Sequence, residues 1–382
     1  MYLKKIPISA LLLLSICSVF VVTAQNNLPL KYKKSTVYAG IEVGSKGVKM
    51  SLVELAKKAT EENSFNILKD TSVNTDFISF SSEAFKNTLD AFYGLYETGL
   101  TKYDIPSNRI FTVVSSGVAV SADKEDKRQW INNLIDSFKV RINDKTRNVD
   151  VITPEEEARL SHLGIVPESK RFTTFLIDIG SGNTKGGYFP NMNTDNIKLF
   201  NLSWGTKSIA NATEKRLDDD KSLDNYYKQL QRVLAGEADK EITYAVNVSG
   251  AYNMSDNVAF SGGAAWATAN LMFPELVNDP VITVTYEQVE NFNKKLYSDY
   301  ASFSEKTIVE NLEKDNPDKT EIASAIKTVN KVFDQKAMLA GSGLLLKIMR
   351  QFEGVHDRKQ FYLVKNGQVG WISAYVNKNS GR

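Results

Sequence analysis

Two stretches of this chain repeat one pattern, and the pattern leaves few folds open. From Val37 to Leu55, VYAGIEVGSKGVKMSLVEL, an apolar strand reaches an acid, Glu42, and turns through Gly44, Ser45, Lys46 and Gly47. It returns as a strand with Val48, Met50 and Leu52 on one face. From Thr174 to Phe189, TFLIDIGSGNTKGGYF, the apolar run Phe175, Leu176, Ile177 ends on Asp178, turns through Gly180, Ser181, Gly182 and Asn183, and returns from Thr184. Small and left-handed-tolerant residues let each turn bend sharply and aim its N–H groups at one place, as an anion site requires. A carboxylate at the mouth of such a hairpin can hold a divalent cation, while turn amides and the Thr184 hydroxyl contact phosphate oxygens. One such hairpin reads also as a glycine-rich tip with a capping Asp. Two in this order predict two related half-folds that present phosphate loops to a shared cleft.

The length, 382 residues, agrees with two domains and a sizeable core. With 42% hydrophobic and 24% charged residues the composition is that of a soluble globular protein, and no low-complexity segment interrupts it. Lys plus Arg (47) nearly balances Asp plus Glu (45), so there is no overall electrostatic case for a specific nucleic-acid partner. The N-terminus is of another kind. Lys4 and Lys5 precede an apolar run from Ile6 to Val22, and Val22-Thr23-Ala24 precedes Gln25, the pattern of a secretory signal cleaved after Ala24. The expected location is periplasmic or secreted, with membrane attachment only if this segment is uncleaved. Cleavage removes Cys17, the sole cysteine, and with it any disulfide or thiol nucleophile. With only His162 and His356 present, carboxylates must carry any metal chemistry. Asn201, Asn211 and Asn247 lie in N-x-S/T sequons.

After a lysine-bearing linker over 25–36, the reading places an N-terminal domain at 37–170 and a C-terminal domain at 171–376, with a helical insertion at 286–335. Ser82 to Leu100 is amphipathic, Ile110 to Val114 reads as a buried strand, and 123–139 as a charged helix. Thr153 as N-cap, Pro154 and three acids, Glu155, Glu156 and Glu157, open another helix, and the helix dipole alone accounts for those acids. In VAFSGGAAWATANL a strand enters Gly262-Gly263 and leads directly into a helix, which allows close approach of a ligand. Ala340-Gly341-Ser342-Gly343 allows close helix packing, and Asn366-Gly367 predicts a terminal β-hairpin.

These stretches, in this order, resemble the exopolyphosphatase and guanosine pentaphosphatase family, within the actin, sugar-kinase and Hsp70 type of ATPase fold. The resemblance spans roughly residues 37 to 376 and is most specific in EEAR followed by DIGSGNT. It implies an α/β fold of two ribonuclease-H-like, actin-like domains around a central cleft. It also implies that Glu157 is the base that activates a water, and that Asp178, with Glu42, holds Mg2+ or another divalent cation. Gly44, Ser45, Lys46, Gly180, Ser181, Gly182, Asn183, Thr184, Gly262 and Gly263 would bind phosphate. Three positions depart from the family pattern. Glu42 stands where Asp is usual, Lys185 where an acid usually follows the Thr, and Val120 near a usual arginine. Lys185 changes the charge beside the proposed metal by two units, and could itself contact phosphate.

The leading expectation is an exported phosphoanhydride hydrolase that removes terminal phosphate from polyphosphate or a related chain, with a homodimer as its possible assembly. An apyrase-like nucleotide phosphohydrolase is a further reading on the same fold. A non-catalytic polyanion-binding or scaffold module, suggested by Lys185 and Val120, is the reading from another class.

Overall fold

A computed structural model describes residues 28–56, 65–250, 255–353, 358–365 and 367–381. The proposed signal segment, Cys17, His356 and Asn366 lie outside the described residues.

The first hairpin forms as the alternation predicts. Strand β1 (Ser35–Val43) buries Ala39, Ile41 and Val43, and pairs antiparallel with β2 (Gly47–Ala56), setting Glu42 opposite Lys49. Strand β3 (Phe65–Asn74) extends this meander, while β4 (Ile110–Val114) and β5 (Asp150–Val151) add parallel to the other side, giving the order β3-β2-β1-β4-β5. Helices α1 (Ser82–Thr101), α2 (Ser116–Lys124) and α3 (Arg128–Arg141) cover one face. Their contact is apolar, with Phe92 of α1 stacked on Phe138 of α3 at 3.7 Å between ring centres. Helix α4 (Pro154–Ile165) begins where expected, the Thr153 side chain accepting from the Glu156 N–H.

The second half repeats the plan. Strands β6 (Thr174–Ile179), β7 (Thr184–Tyr188) and β8 (Lys198–Leu202) form the meander, and β9 (Asn257–Ser261) lies parallel to β6 as β4 does to β1. Between β8 and β9 come α5 (Thr206–Glu214), α6 (Leu223–Val233) and α7 (Asp239–Ser249), the last two joined by a π-turn over Leu234–Ala238. Helix α8 (Gly262–Met272) follows β9 directly. Then come β10 (Val281–Val284), α9 (Tyr286–Ser298), α10 (Glu305–Asn311), α11 (Lys319–Val332), α12 (Gln335–Phe352) and β11 (Gln360–Val364). The sheet order is β10-β11-β9-β6-β7-β8. The stretch 286–335 is helical, and its Asn316-Pro317-Asp318 break falls between α10 and α11.

The terminal hairpin does not form. Gly367 begins helix α13 (Gly367–Asn379), whose Val369, Ile372 and Val376 recur at helical spacing and are buried. Burial of that stripe overrides the local turn preference of Asn-Gly. Helix α13 lies on β1 and β2 of the first sheet, where Gly40 leaves room for Ile372 and Val376. Helix α4, which ends the first half, lies on β7 of the second sheet, and the two helices pack together with Gly164 against the Gly370 backbone. The halves therefore exchange helices, α4 packing on the second sheet and α13 on the first. Among the described residues, no helix is long and apolar enough to cross a membrane.

Candidate active site

The turns after β1 and β6 meet across a cleft of about 700 Å3 between the two sheets. Its wall includes Glu42, Gly44, Ser45, Lys46, Glu157, Asp178, Gly180, Ser181, Gly182, Asn183, Lys185, Gly262 and Gly263. The first turn is closed by Gly44 N–H donating to the Gly47 carbonyl at 2.9 Å, the second by Gly180 N–H donating to Asn183 at 3.0 Å. A Cβ placed on Gly182 would lie 2.9 Å from Ser45 Oγ, and one on Gly117 2.9 Å from Asn183 Oδ1. Three small-residue segments thus converge, with Gly182 and Gly117 leaving room for the Ser45 and Asn183 side chains. Gly262, at φ +88°, sits where a Cβ would meet the Ile179 carbonyl and lie 2.6 Å from Asp178 Oδ1.

Helix α5 aims the second turn. Thr206 N–H donates to the Gly180 carbonyl at 3.0 Å and Lys207 N–H to the Ser181 carbonyl at 2.9 Å. In a trans peptide the N–H opposes the C=O, so the Ser181 and Gly182 N–H groups face away from α5. The side chains left over are polar: Asn183 Nδ2, Ser181 Oγ and Thr206 Oγ1 are buried at the wall with no hydrogen-bond partner. Such groups are costly unless something satisfies them. Thr184 departs from expectation. It is fully buried, absent from the cleft wall, and its hydroxyl donates to the Trp204 carbonyl at 2.7 Å, which ties β7 to the segment after β8.

Of the three acids at the start of α4, Glu155 is exposed, Glu156 pairs with Arg159 and Lys378, and Glu157 is buried and turned into the cleft. Glu157 Oε2 accepts from the Ser116 N–H at 2.8 Å, at the start of α2. Its Oε1 lies 2.9 Å from Lys185 Nζ, which is also 2.9 Å from Asp178 Oδ2. Asp178 Oδ1 accepts from Ser261 Oγ at 3.2 Å. Burial opposes the charge on Lys185, but Asp178 and Glu157 outweigh it and hold the ammonium well above the usual lysine range. Glu42 is buried nearby, and its carboxyl is pushed up to about 7 by burial, with Lys49 opposing and Glu157 adding to the shift.

A divalent cation held by Asp178 and Glu42 does not fit this arrangement. Both Asp178 oxygens are engaged, one of them by the Lys185 ammonium, and Glu42 faces Lys49 across the strand pair. Among the described residues no three of His, Cys, Asp and Glu gather as a ligand set. The cation at the acids is the lysine.

Two further lysines cross the cleft. Lys46 Nζ donates to the Val332 carbonyl at 2.6 Å and lies 4.9 Å from the centre of the Phe333 ring. Lys207 pairs with Asp76 of the opposite half. Burial lowers both below the usual lysine range, and Lys46 adds to the shift of Lys207. Sequence reasoning missed Lys207, Ser116, Gly117 and Gly205. Ser115-Ser116-Gly117 at the end of a predicted strand was the available signal for two of them.

No family model matches the sequence, and no curated protein matches it either. Solved structures do. A Ppx/GppA protein family member from Aquifex aeolicus matches with a TM-score of 0.59 at 16% identity, over 91% of this chain and 100% of that one. An exopolyphosphatase from Cytophaga hutchinsonii matches with a TM-score of 0.54 at 13% identity, over 90% and 98%. An exopolyphosphatase-like protein matches with a TM-score of 0.55 at 14% identity, over 89% and 98%. This chain has the two-domain, actin-like ATPase fold of those structures, with its cleft between the two repeats.

Proposed function

We propose that the cleft binds a phosphoanhydride chain such as inorganic polyphosphate and removes its terminal phosphate by hydrolysis. The observation that carries this reading is the meeting of two glycine turns, three unsatisfied buried polar groups and the buried carboxylate of Glu157 in a single cleft. The exopolyphosphatase named among the fold's relatives supports the substrate class. Each carboxylate oxygen has more than one lone pair, so Glu157 can orient a water while keeping its bonds to Lys185 and Ser116. The water oxygen attacks the terminal phosphorus, its proton passes to Glu157, and the bridging oxygen leaves with the bonding pair on the shortened chain. Asn183, Ser181 and Thr206 offer donors to the phosphate oxygens. Phosphate release from polyphosphate by the chain from Gln25 onward tests this. Release should fall about 100-fold or more in Glu157→Gln, and a variant as active as the parent would exclude Glu157 as the base.

A second reading is favoured by one observation, the ion pair that engages Glu157 Oε1. In it, the cleft holds the phosphate chain without cutting it. Binding of tripolyphosphate with no release of phosphate from any chain length selects this reading. Export belongs to the proposal too, and N-terminal sequencing of the protein recovered from the producing cells checks it, with Gln25 as the expected first residue.

A further inference from the structure

The hairpin register explains how a lysine comes to lie between two acids. Asp178 and Lys185 are direct partners across β6 and β7, so their side chains share one face of the sheet. Helix α4 lies over that face and brings Glu157 to the same point. The Lys185 side chain is 5% exposed, and Nζ is 2.9 Å from an oxygen of each acid. Ser261 donates to the second oxygen of Asp178 and Ser116 to that of Glu157, so both carboxylates are held in place around the ammonium. Magnesium binds oxygen at about 2.0–2.1 Å. An ion placed at the nitrogen would have to draw each carboxylate inward by about 0.8 Å, expel the lysine and break its two ion pairs. The expelled ammonium would begin from full burial.

We infer that the Lys185 ammonium is a resident cation that takes the seat a divalent ion would occupy between Asp178 and Glu157, so the cleft receives its phosphate-chain ligand with no metal at these acids. The inference rests on the phosphate-chain reading for the ligand, but its metal half stands alone. A fixed ammonium supplies one positive charge and hydrogen bonds of set direction, where a hydrated metal supplies two charges and exchangeable ligands. It cannot be removed by a chelator or varied by supply. Lys185 is therefore a positioning residue for Glu157, and through its charge a stabiliser of an incoming phosphate.

The test titrates Mn2+ into the ligand-free protein, followed by electron paramagnetic resonance and calorimetry, for the parent chain, Lys185→Glu, Lys185→Ala and Asp178→Asn. The parent should show no saturable Mn2+ site, and Lys185→Glu should gain one site per chain that Asp178→Asn, added to it, abolishes. A parent site that Asp178→Asn removes would overturn the inference. If the parent and both folded Lys185 variants all lack a site, lysine is not what excludes the metal, and the assignment to Lys185 falls. Should Lys185→Glu fail to fold, Lys185→Ala and the parent titration decide. In parallel, the thermal midpoint of the parent is measured with tripolyphosphate in EDTA and with Mn2+. A rise in EDTA supports the inference, and a rise only with Mn2+ overturns it. No rise in either buffer counts against the phosphate-chain reading, and the Mn2+ titration of the free protein still settles whether Lys185 fills the metal's place.

Discussion

Two buried residues, Glu42 on β1 and His162 on α4, are shifted in opposite directions by burial. Glu42 is held up to about 7 by burial, and His162 down to about 4 by burial, its Nε2 bonded to the Thr174 carbonyl at 2.9 Å. The unfolded chain binds a proton at His162 below its ordinary 6.5 while the folded chain does not, so this residue costs stability as pH falls from 6.5 toward 4. Glu42 works the other way. The folded chain keeps a proton that the unfolded chain loses above 4.5, so its contribution is complete below 4.5 and is lost as pH rises toward 7. Each amounts to about 3 kcal/mol over its window by the factor of about 1.4 kcal/mol per pH unit. Between pH 4.5 and 6.5 the two slopes oppose. Urea unfolding across that range should show a steeper gain of stability with pH in Glu42→Gln than in the parent, and a loss with pH in His162→Gln. Parallel profiles for all three proteins would refute the opposition. At this scale most of the cleft's wall is legible in the sequence, because glycine turns and acids after apolar strands are local signals. The occupied state of the acids is not. It needs the pairing of 178 with 185 and the approach of Glu157, which are tertiary facts.

Among the elements, α5 does the work that a sequence of short strands conceals. Its first N–H groups take the carbonyls of Gly180 and Ser181, so the helix turns the phosphate loop outward by occupying its other side. Gly205 makes this possible, for a Cβ there would lie 2.6 Å from both carbonyl oxygens and 2.7 Å from the Asn183 nitrogen. These are backbone atoms and cannot step aside. Gly205→Ala should cost about 1–3 kcal/mol in chemical unfolding and weaken tripolyphosphate binding more than Thr184→Val does. A Gly205→Ala chain with parental affinity would separate α5 from the site. The fold's elements were readable where one residue pattern decided them, as in α1, in the capped start of α4, and in β9 running into α8. The reading failed at Gly367, where the Asn-Gly turn signal met a buried stripe of Val369, Ile372 and Val376. It also missed α2, whose small residues carry little periodicity.

In the whole molecule the exchange of α4 and α13 joins two repeats that would otherwise be separable. Val113, Ile152 and Leu160 pack with Trp371, Ile372 and Tyr375 in a cluster that belongs to neither repeat alone. Tyr375 bonds to Asp150, and Lys378 reaches Glu156 at 2.5 Å. The two halves should therefore unfold together. Single-tryptophan variants retaining Trp130 in the first core or Trp204 in the second should give the same midpoint in guanidinium, and midpoints that differ would show independent domains. Gly164→Val, which forces a side chain onto the Gly370 backbone, should lower both midpoints by the same amount. The crossing of these helices also sets an order in time. On the ribosome, β1 and β2 emerge more than 300 residues ahead of α13 (Gly367–Asn379), the helix that seals their second face. Until α13 emerges, Tyr38, Val53 and Leu55 wait for Val376, and the growing chain carries an open apolar seam that only this helix closes.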